Sequence, residues 1–241
     1  MLEDLKREVF ESNLGLVRHG LAILAFGNVS GMDRAQGLLV IKPSGVPYNR
    51  MKPEDLVVVD LKGKVVEGKL RPSSDTPTHI ELYKAWPGVR GVCHTHSPYA
   101  TAFAQACLPV PCLGTTHADH FHGPVPVTRR LSEQETRKNY EANTGKLILE
   151  LFAAGPRGRL PPKAALDPRG TPAALVACHG PFSWGKSAED ALTNAVLLEE
   201  VAEIACKTLL LNPKAAPLPN FLLEKHFSRK HGPKATYGQK K

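Results

Sequence analysis

The 241-residue sequence has no apolar run near the roughly 20 residues that a membrane-spanning helix needs. Its first residues, Met1-Leu2-Glu3-Asp4-Leu5-Lys6, lack the basic-then-apolar pattern of a secretion signal. Together these absences predict a cytoplasmic protein that does not enter a membrane. The five cysteines, Cys93, Cys107, Cys112, Cys178 and Cys206, are odd in number, and no two have the two-residue gap of a zinc knuckle or a thioredoxin-like redox site. Reduced thiols are therefore expected. Aromatic clusters and groove-reading elements are also missing, so the formal charge of +8 does not point to nucleic acid. An anionic small substrate explains that charge equally well. What remains is a chain long enough to bury a core as a single domain without disulfides.

Local patterns outline the elements. Leu2, Leu5, Val9, Leu16 and Val17 fall near helical spacing and predict an amphipathic helix over residues 2–17. Leu38–Ile41 and Leu56–Val59 are short β-branched runs bounded by turn residues, and Lys64–Val66 reads as the return of a hairpin. Thr76-Pro77 has the form of an N-cap and first helical residue, with the helix running to about Ala85. Val89–His96 reads as a strand, after which Ser97-Pro98 repeats the cap. Residues 132–152 are predicted helical. Residues 155–172 form a Pro/Gly/Arg-rich insert, expected to be a mobile surface loop. A buried strand, Ala173–Cys178, then precedes a long helix, Ala188–Leu211, opened by Ser187 with Asp190 three residues on. The tail, 224–241, is basic. Alternating strands and helices indicate an α/β fold.

Within the Val89–His96 strand, side chains alternate between faces, so His94 and His96 project to one side, about 7 Å apart. Such a pair can hold one ion, and it is equally compatible with two unrelated histidines. His179, at the end of the last strand, and Asp75, before the helix that leads into the His94 strand, are further candidates. Three imidazoles and a carboxylate would describe a catalytic site of the zinc type. Cys93 and Cys178 adjoin these histidines, but strand alternation turns each away, and both are expected to be buried, inert thiols. Three polar segments, Gly27-Asn28-Val29-Ser30, Lys42-Pro43-Ser44-Gly45 and Pro72-Ser73-Ser74-Asp75, offer either ordinary turns or a cradle of N–H and hydroxyl groups for a phosphate.

These segments, extended to Thr76-Pro77-Thr78-His79, are joined in one order by His94-Thr95-His96-Ser97, Gly114-Thr115-Thr116-His117-Ala118-Asp119 and His179-Gly180-Pro181-Phe182. The series resembles the class II aldolase/adducin family and, within it, the L-ribulose-5-phosphate 4-epimerase branch. The likeness runs nearly end to end, from Met1-Leu2-Glu3 to Tyr237-Gly238-Gln239. It implies a single α/β domain with a central, mainly antiparallel sheet between helical layers, assembled as a homotetramer with active sites between subunits. It also implies a divalent metal, zinc first with manganese or cobalt as alternatives, held by His94, His96 and His179 with Asp75 in the exchangeable position. Gly27, Asn28, Ser44, Gly45, Ser73 and Ser74 become contacts for a phosphorylated pentulose, and Asp119 and Tyr237 the acid/base pair. His226 and Glu141 are further candidates for contacts near the substrate.

The chemistry implied is inversion at C4, a carbon whose hydrogen is not acidic because no carbonyl adjoins it. Retro-aldol cleavage of C3–C4, rotation of the aldehyde and re-addition on its other face achieve this, with proton transfer at O4 on each face. Two departures from the branch stand out: Ala177 occupies the position of a further histidine, and the 155–172 insert is longer than expected. The fuculose-phosphate aldolases of the same family carry a Glu at the Asp75 position, so Asp75 favours the epimerase over an aldolase. Non-catalytic adducin-like relatives lack the full ligand set that His94, His96 and His179 provide here.

Overall fold

Several strands in this chain, such as Leu38–Ile41 and Ala173–Val176, are short and apolar on both faces, as expected where helices cover a sheet on each side. In the computed structural model, which describes residues 2–153, 166–232 and 235–236, seven strands form one sheet in the order β4-β3-β2-β1-β5-β7-β6. They are β1 (Asn28–Asp33), β2 (Leu38–Ile41), β3 (Val57–Asp60), β4 (Val65–Glu67), β5 (Gly91–His94), β6 (Ala173–Val176) and β7 (Gly180–Gly185). Every neighbouring pair is antiparallel. The helices are α1 (Glu3–Arg18), α2 (Thr76–Ala85), α3 (Pro98–Ala106), α4 (Thr115–Ala118), α5 (Glu133–Arg137), α6 (Tyr140–Phe152), α7 (Ala188–Leu211) and α8 (Asn220–His231). The result is a single α/β domain with a central antiparallel sheet. No helix of the described residues is long and apolar enough to cross a membrane.

Alternation along the strands divides the core in two. Val29, Val40, Val58 and Cys93 point toward α1 and α7, where Val9, Leu16, Ala191 and Leu192 meet them. Leu39, Ile41, Val57, Val59 and Val92 point the other way, toward Ile80, Leu82 and Tyr83 of α2 and Ile148 of α6. Each wholly buried Val or Leu contributes about 1.5–3 kcal/mol relative to exposure, so the patterning of these residues is what holds the layers together. A third cluster, with Phe103, Phe121, Leu175 and Leu198, joins α3 to α7 and β6. The Glu8 carboxylate accepts the Ala188 N–H at 2.7 Å, and Ser187 Oγ accepts the Asp190 N–H, so the start of α7 is capped by α1 as well as by its own N-cap serine.

Two strands do not show in the sequence pattern. β1 (Asn28–Asp33) and β7 (Gly180–Gly185) are rich in small and polar residues, yet both lie inside the sheet. Gly91 shows why small residues suit this region: a Cβ there would lie 1.9 Å from Ser187 O, where α7 begins. Other boundaries also differ from expectation. The β5 strand stops at His94, so Thr95 and His96 lie beyond it. Thr76 is not the cap of α2: Asp75 holds that position and Thr76 Oγ1 donates to Ser73 O at 2.6 Å. The expected helix over 132–152 is two helices, because Asn139 adopts φ 57° while the Asn143 amide donates to the carbonyls of Glu135 and Lys138. Of the 155–172 insert, residues 154–165 lie outside the described residues, and the remainder is docked rather than free. Trp184 Nε1 donates to Pro168 O at 2.7 Å, the His122 N–H donates to Gly170 O at 2.8 Å, and Thr171 is buried.

Candidate active site

Antiparallel pairing brings the start of β1, the end of β5 and the start of β7 to one edge of the sheet. Asn28 pairs with His94, and His94 pairs with Phe182. At that edge the imidazoles of His94, His96 and His179 converge, with donor atoms all within 4.8 Å of one another. His94 Nε2 and His96 Nε2 are 3.0 Å apart. The ring of His94 stacks on Phe182 at 4.2 Å between centroids, and its Nδ1–H donates to the carbonyl of Pro181 at 2.9 Å. A carbonyl only accepts, so this contact places the proton on Nδ1 and leaves the Nε2 lone pair facing the cluster, free to ligate an ion. His179 stands on the turn between β6 and β7, with Tyr140 Oη 3.3 Å from its Nδ1. Burial, reinforced by the neighbouring His94 and His96, lowers the His179 pKa to about 4. Three clustered imidazoles are the donor set that suits a divalent ion of the zinc type, so these residues could bind one.

Beside the histidines is a cleft of about 290 Å³ into which all three polar segments project. Gly27 and Asn28 line it from β1, Ser44 and Gly45 from the loop after β2, and Ser73, Ser74 and Asp75 from the loop before α2. Backbone bonds from Ser73 N to Lys42 O at 3.0 Å and from Ser44 N to Arg71 O at 2.9 Å lay the two serine loops side by side. Gly27, at φ 75°, carries the chain close under the ligand strand: a Cβ there would lie 2.8 Å from His94 O. The Asn28 amide donates to Asp75 Oδ2 at 2.7 Å, fixing a carboxylate in the cleft. Burial pushes Asp75 up, but the imidazoles of His94 and His79 and the Asn28 bond outweigh it and hold it below the usual range. Asp75 lines the cleft without being part of the converging donor set.

The same cleft includes Lys42, which belongs to one of the three polar segments, Tyr140, which was not singled out from sequence, and Glu141, a candidate contact implied by the resemblance. Lys42 is 1% exposed, with Nζ 3.3 Å from the carbonyls of Ala25 and Pro43 and 4.8 Å above the ring of Tyr48. Burial lowers its pKa to about 8. It is the basic side chain in the lining, and its place in Lys42-Pro43-Ser44-Gly45 was the available signal. Tyr140 also lines the cleft, brought there by the break at Asn139, and nothing in the periodicity marks it. Glu141 lies beside it.

Asp119 does not join this cleft within one chain. Asp119 ends α4, and its carboxylate is held by α8: Arg229 Nη2 lies 2.6 Å from Oδ2, Arg229 Nε 3.0 Å from Oδ1 and His226 Nδ1 3.1 Å from Oδ1. Burial raises Asp119, but the bonds from Arg229 and His226 outweigh it and hold the carboxyl below its usual range. Tyr237 lies outside the described residues. The expected pair of inert thiols divides as well. Cys93 is buried and its pKa is raised to about 12 by burial, as a core thiol should be. Cys178 is exposed, because β6 ends at Val176 and the residue sits at φ 62° in the turn, where strand alternation no longer applies.

Residues 7–206 match the family described as the class II aldolase and adducin N-terminal domain, and the chain belongs to that family. Among solved structures, an L-fuculose 1-phosphate aldolase is 26% identical over 94% of this chain and 95% of its own, with a TM-score of 0.76. YgbL from Klebsiella pneumoniae, a candidate aldolase/epimerase/decarboxylase, is 25% identical over 93% of this chain and 99% of its own, at a TM-score of 0.70. The L-fuculose-1-phosphate aldolase of Thermus thermophilus, 24% identical over 89% of this chain and 98% of its own, shares the fold at a TM-score of 0.65.

Proposed function

We propose that the protein is a divalent-metal-dependent sugar-phosphate epimerase that interconverts L-ribulose 5-phosphate and D-xylulose 5-phosphate by breaking and remaking C3–C4. One observation carries the reading: three converging imidazoles share a single cleft with two serine loops and a buried lysine. A phosphorylated ketose presents matching chemistry, with carbonyl and hydroxyl oxygens at one end and a phosphate dianion at the other. A divalent ion, zinc first, held by His94, His96 and His179 with Asp75 in the exchangeable position, would supply Lewis-acid polarisation of the C2 carbonyl.

The chain's own residues do the rest. Asn28 holds the Asp75 carboxylate in the cleft. Gly27, Ser44, Gly45, Ser73 and Ser74 receive the phosphate, with Lys42 supplying positive charge behind them. Asp119 and Tyr237 move the O4 proton on opposite faces of the substrate. Asp119 does not line the cleft of its own chain, so this role requires neighbouring copies in a homotetramer to complete the acid/base pair at each cleft, with Asp119 and Tyr237 supplied by different chains.

The likeness to an L-fuculose 1-phosphate aldolase, at 26% identity, favours a second reading in which the aldehyde is released instead of re-added. The two are separated by incubating metal-loaded protein with L-ribulose 5-phosphate. Accumulation of D-xylulose 5-phosphate without free dihydroxyacetone supports the epimerase. Dihydroxyacetone and glycolaldehyde phosphate without the xylulose product would make it an aldolase, and no turnover of this substrate would remove both assignments.

A further inference from the structure

Two cysteines outside the proposed chemistry face each other. Cys107 follows the end of α3 at φ 55°, and Cys178 stands in the β6–β7 turn at φ 62°. Their sulfurs are 3.9 Å apart. Both backbone N–H groups donate to a single oxygen, the carbonyl of Ala104, at 3.1 Å from Cys107 and 2.9 Å from Cys178. The two nitrogens are therefore no more than about 6 Å apart, a backbone spacing compatible with the roughly 4.4–6.8 Å between α-carbons in disulfides. Cys178 is exposed and Cys107 half-buried, so a small oxidant reaches both. The remaining three cysteines have no such partner among the described residues. Arg130 Nε lies 3.4 Å from the Cys107 sulfur.

We propose that Cys107 and Cys178 form a peroxide-responsive thiol pair, with Cys107 as the attacking sulfur, Arg130 as the group that activates it, and Cys178 as the resolving sulfur. The Arg130 guanidinium beside Cys107 holds its thiol below the ordinary range, which increases the thiolate available for attack. The thiolate attacks one oxygen of hydrogen peroxide, the O–O bond breaks, and Cys107 becomes a sulfenic acid as hydroxide departs. The Cys178 thiol then attacks that sulfur, forming S–S as the sulfenic hydroxyl leaves with the Cys178 proton as water, while the hydroxide of the first step takes up the proton that Cys107 released on ionising. Two thiols are oxidised, and one peroxide is reduced to two waters. The sulfurs need to close by about 2 Å to reach bonding distance, within reach of side-chain rotation. The new bond ties the turn that carries His179 to the end of α3. Reversible disulfides of this kind fit a reducing compartment, where such bonds are transient.

The test uses the full-length protein. Reduced protein is treated with one equivalent of hydrogen peroxide, its remaining thiols are alkylated, and it is digested and mapped by mass spectrometry without reduction. The expected product is one cross-linked peptide joining Cys107 to Cys178, lost on adding dithiothreitol. Cys112→Ser and Cys206→Ser should retain the cross-link and Cys107→Ser should abolish it, each variant being checked for an unchanged circular dichroism spectrum. Arg130→Leu leaves both thiols in place and should slow cross-linking by roughly threefold or more. Cys107 and Cys178 both recovered as alkylated thiols, or as separate sulfinic acids, would overturn the pair. An unchanged rate in Arg130→Leu would overturn the role given to that arginine.

Discussion

His96 is an exposed side chain engaged with the other imidazoles of the cluster and, at 6.3 Å between centroids, with the ring of exposed Phe26, so its replacement separates metal binding from folding. His96→Asn should lower bound metal and turnover together while leaving unfolding stability within about 0.5 kcal/mol of the parent, as is usual for exposed positions. Full metal occupancy in the purified variant would remove His96 from the ligand set. His117 is the opposite case, buried behind α4 with Nε2–H donating to Gly123 O at 2.8 Å and Nδ1 buried without a hydrogen-bond partner among the described residues. Burial lowers its pKa from 6.5 to about 4. Between those values the unfolded chain binds the proton more tightly than the folded one. The neutral ring's contribution to stability is thus fully present above pH 6.5 and is lost as pH falls toward 4. The shift corresponds to a loss on the order of 3 kcal/mol. His117→Gln keeps an N–H donor and cannot titrate, so urea unfolding of chelator-treated protein at pH 7 and near pH 4.5 should show a smaller difference for the variant than for the parent. Equal differences would show that His117 does not drive the acid sensitivity.

At the scale of elements, α8 is held differently from the other long helices. It has no fully buried residue, and its described polar contacts converge on Asp119 and its neighbours: Arg229 and His226 on the carboxylate, His231 on the Asp119 carbonyl, and Lys230 Nζ 3.3 Å from His120 Nε2. Asp119→Ala should therefore loosen α8 without melting the core. The expected result is faster tryptic cleavage after Lys225, Arg229 and Lys230, with the remainder of the chain staying intact. Cleavage at the parental rate would show that the contacts of Phe227 and Glu224 with His122 hold the helix instead. Asp119 is legible in the sequence only through the motif it ends, and its ion pairs with α8 are not legible at all, because more than 100 residues separate the partners. Elements with a strong periodic signal were readable to the residue: β2 at Leu38–Ile41 and α7 at Ala188–Leu211 match the pattern. β1 and β7 were not, since Asn28–Asp33 and Gly180–Gly185 owe their strand conformation to pairing on both sides and to close approach of backbones, which composition does not encode. The histidine cluster was half legible. The spacing of His94 and His96 marked the pair, but β5 ends at His94, so alternation does not place His96, and only the antiparallel neighbour β7 brings His179 beside them.

The whole molecule presents a cleft in which three imidazoles meet two serine loops, while Asp119 faces α8 and is not in the cleft's lining. If Asp119 and Tyr237 act on O4 as proposed, the groups that complete a site must come from another copy of the chain. Exposed Ile23, Leu24 and Phe26 lie in the loop that leads into the cleft, an apolar rim that a second copy would cover. Homotetramers of Asp119→Asn and of Tyr237→Phe should then each lose nearly all epimerase activity. Co-assembled from unfolded or dissociated chains, the two variants would generate some sites at which an intact Asp119 and an intact Tyr237 meet, and activity should return in part. Partial return needs the two groups to reach the same O4 from different chains, since both must lie within hydrogen-bond distance of one oxygen at the moment of transfer. Native mass spectrometry of the mixture would establish that hybrids have formed, so that failure to assemble is not mistaken for failure to act. Verified hybrids as inactive as either parent would place both groups on one chain, or place neither at O4.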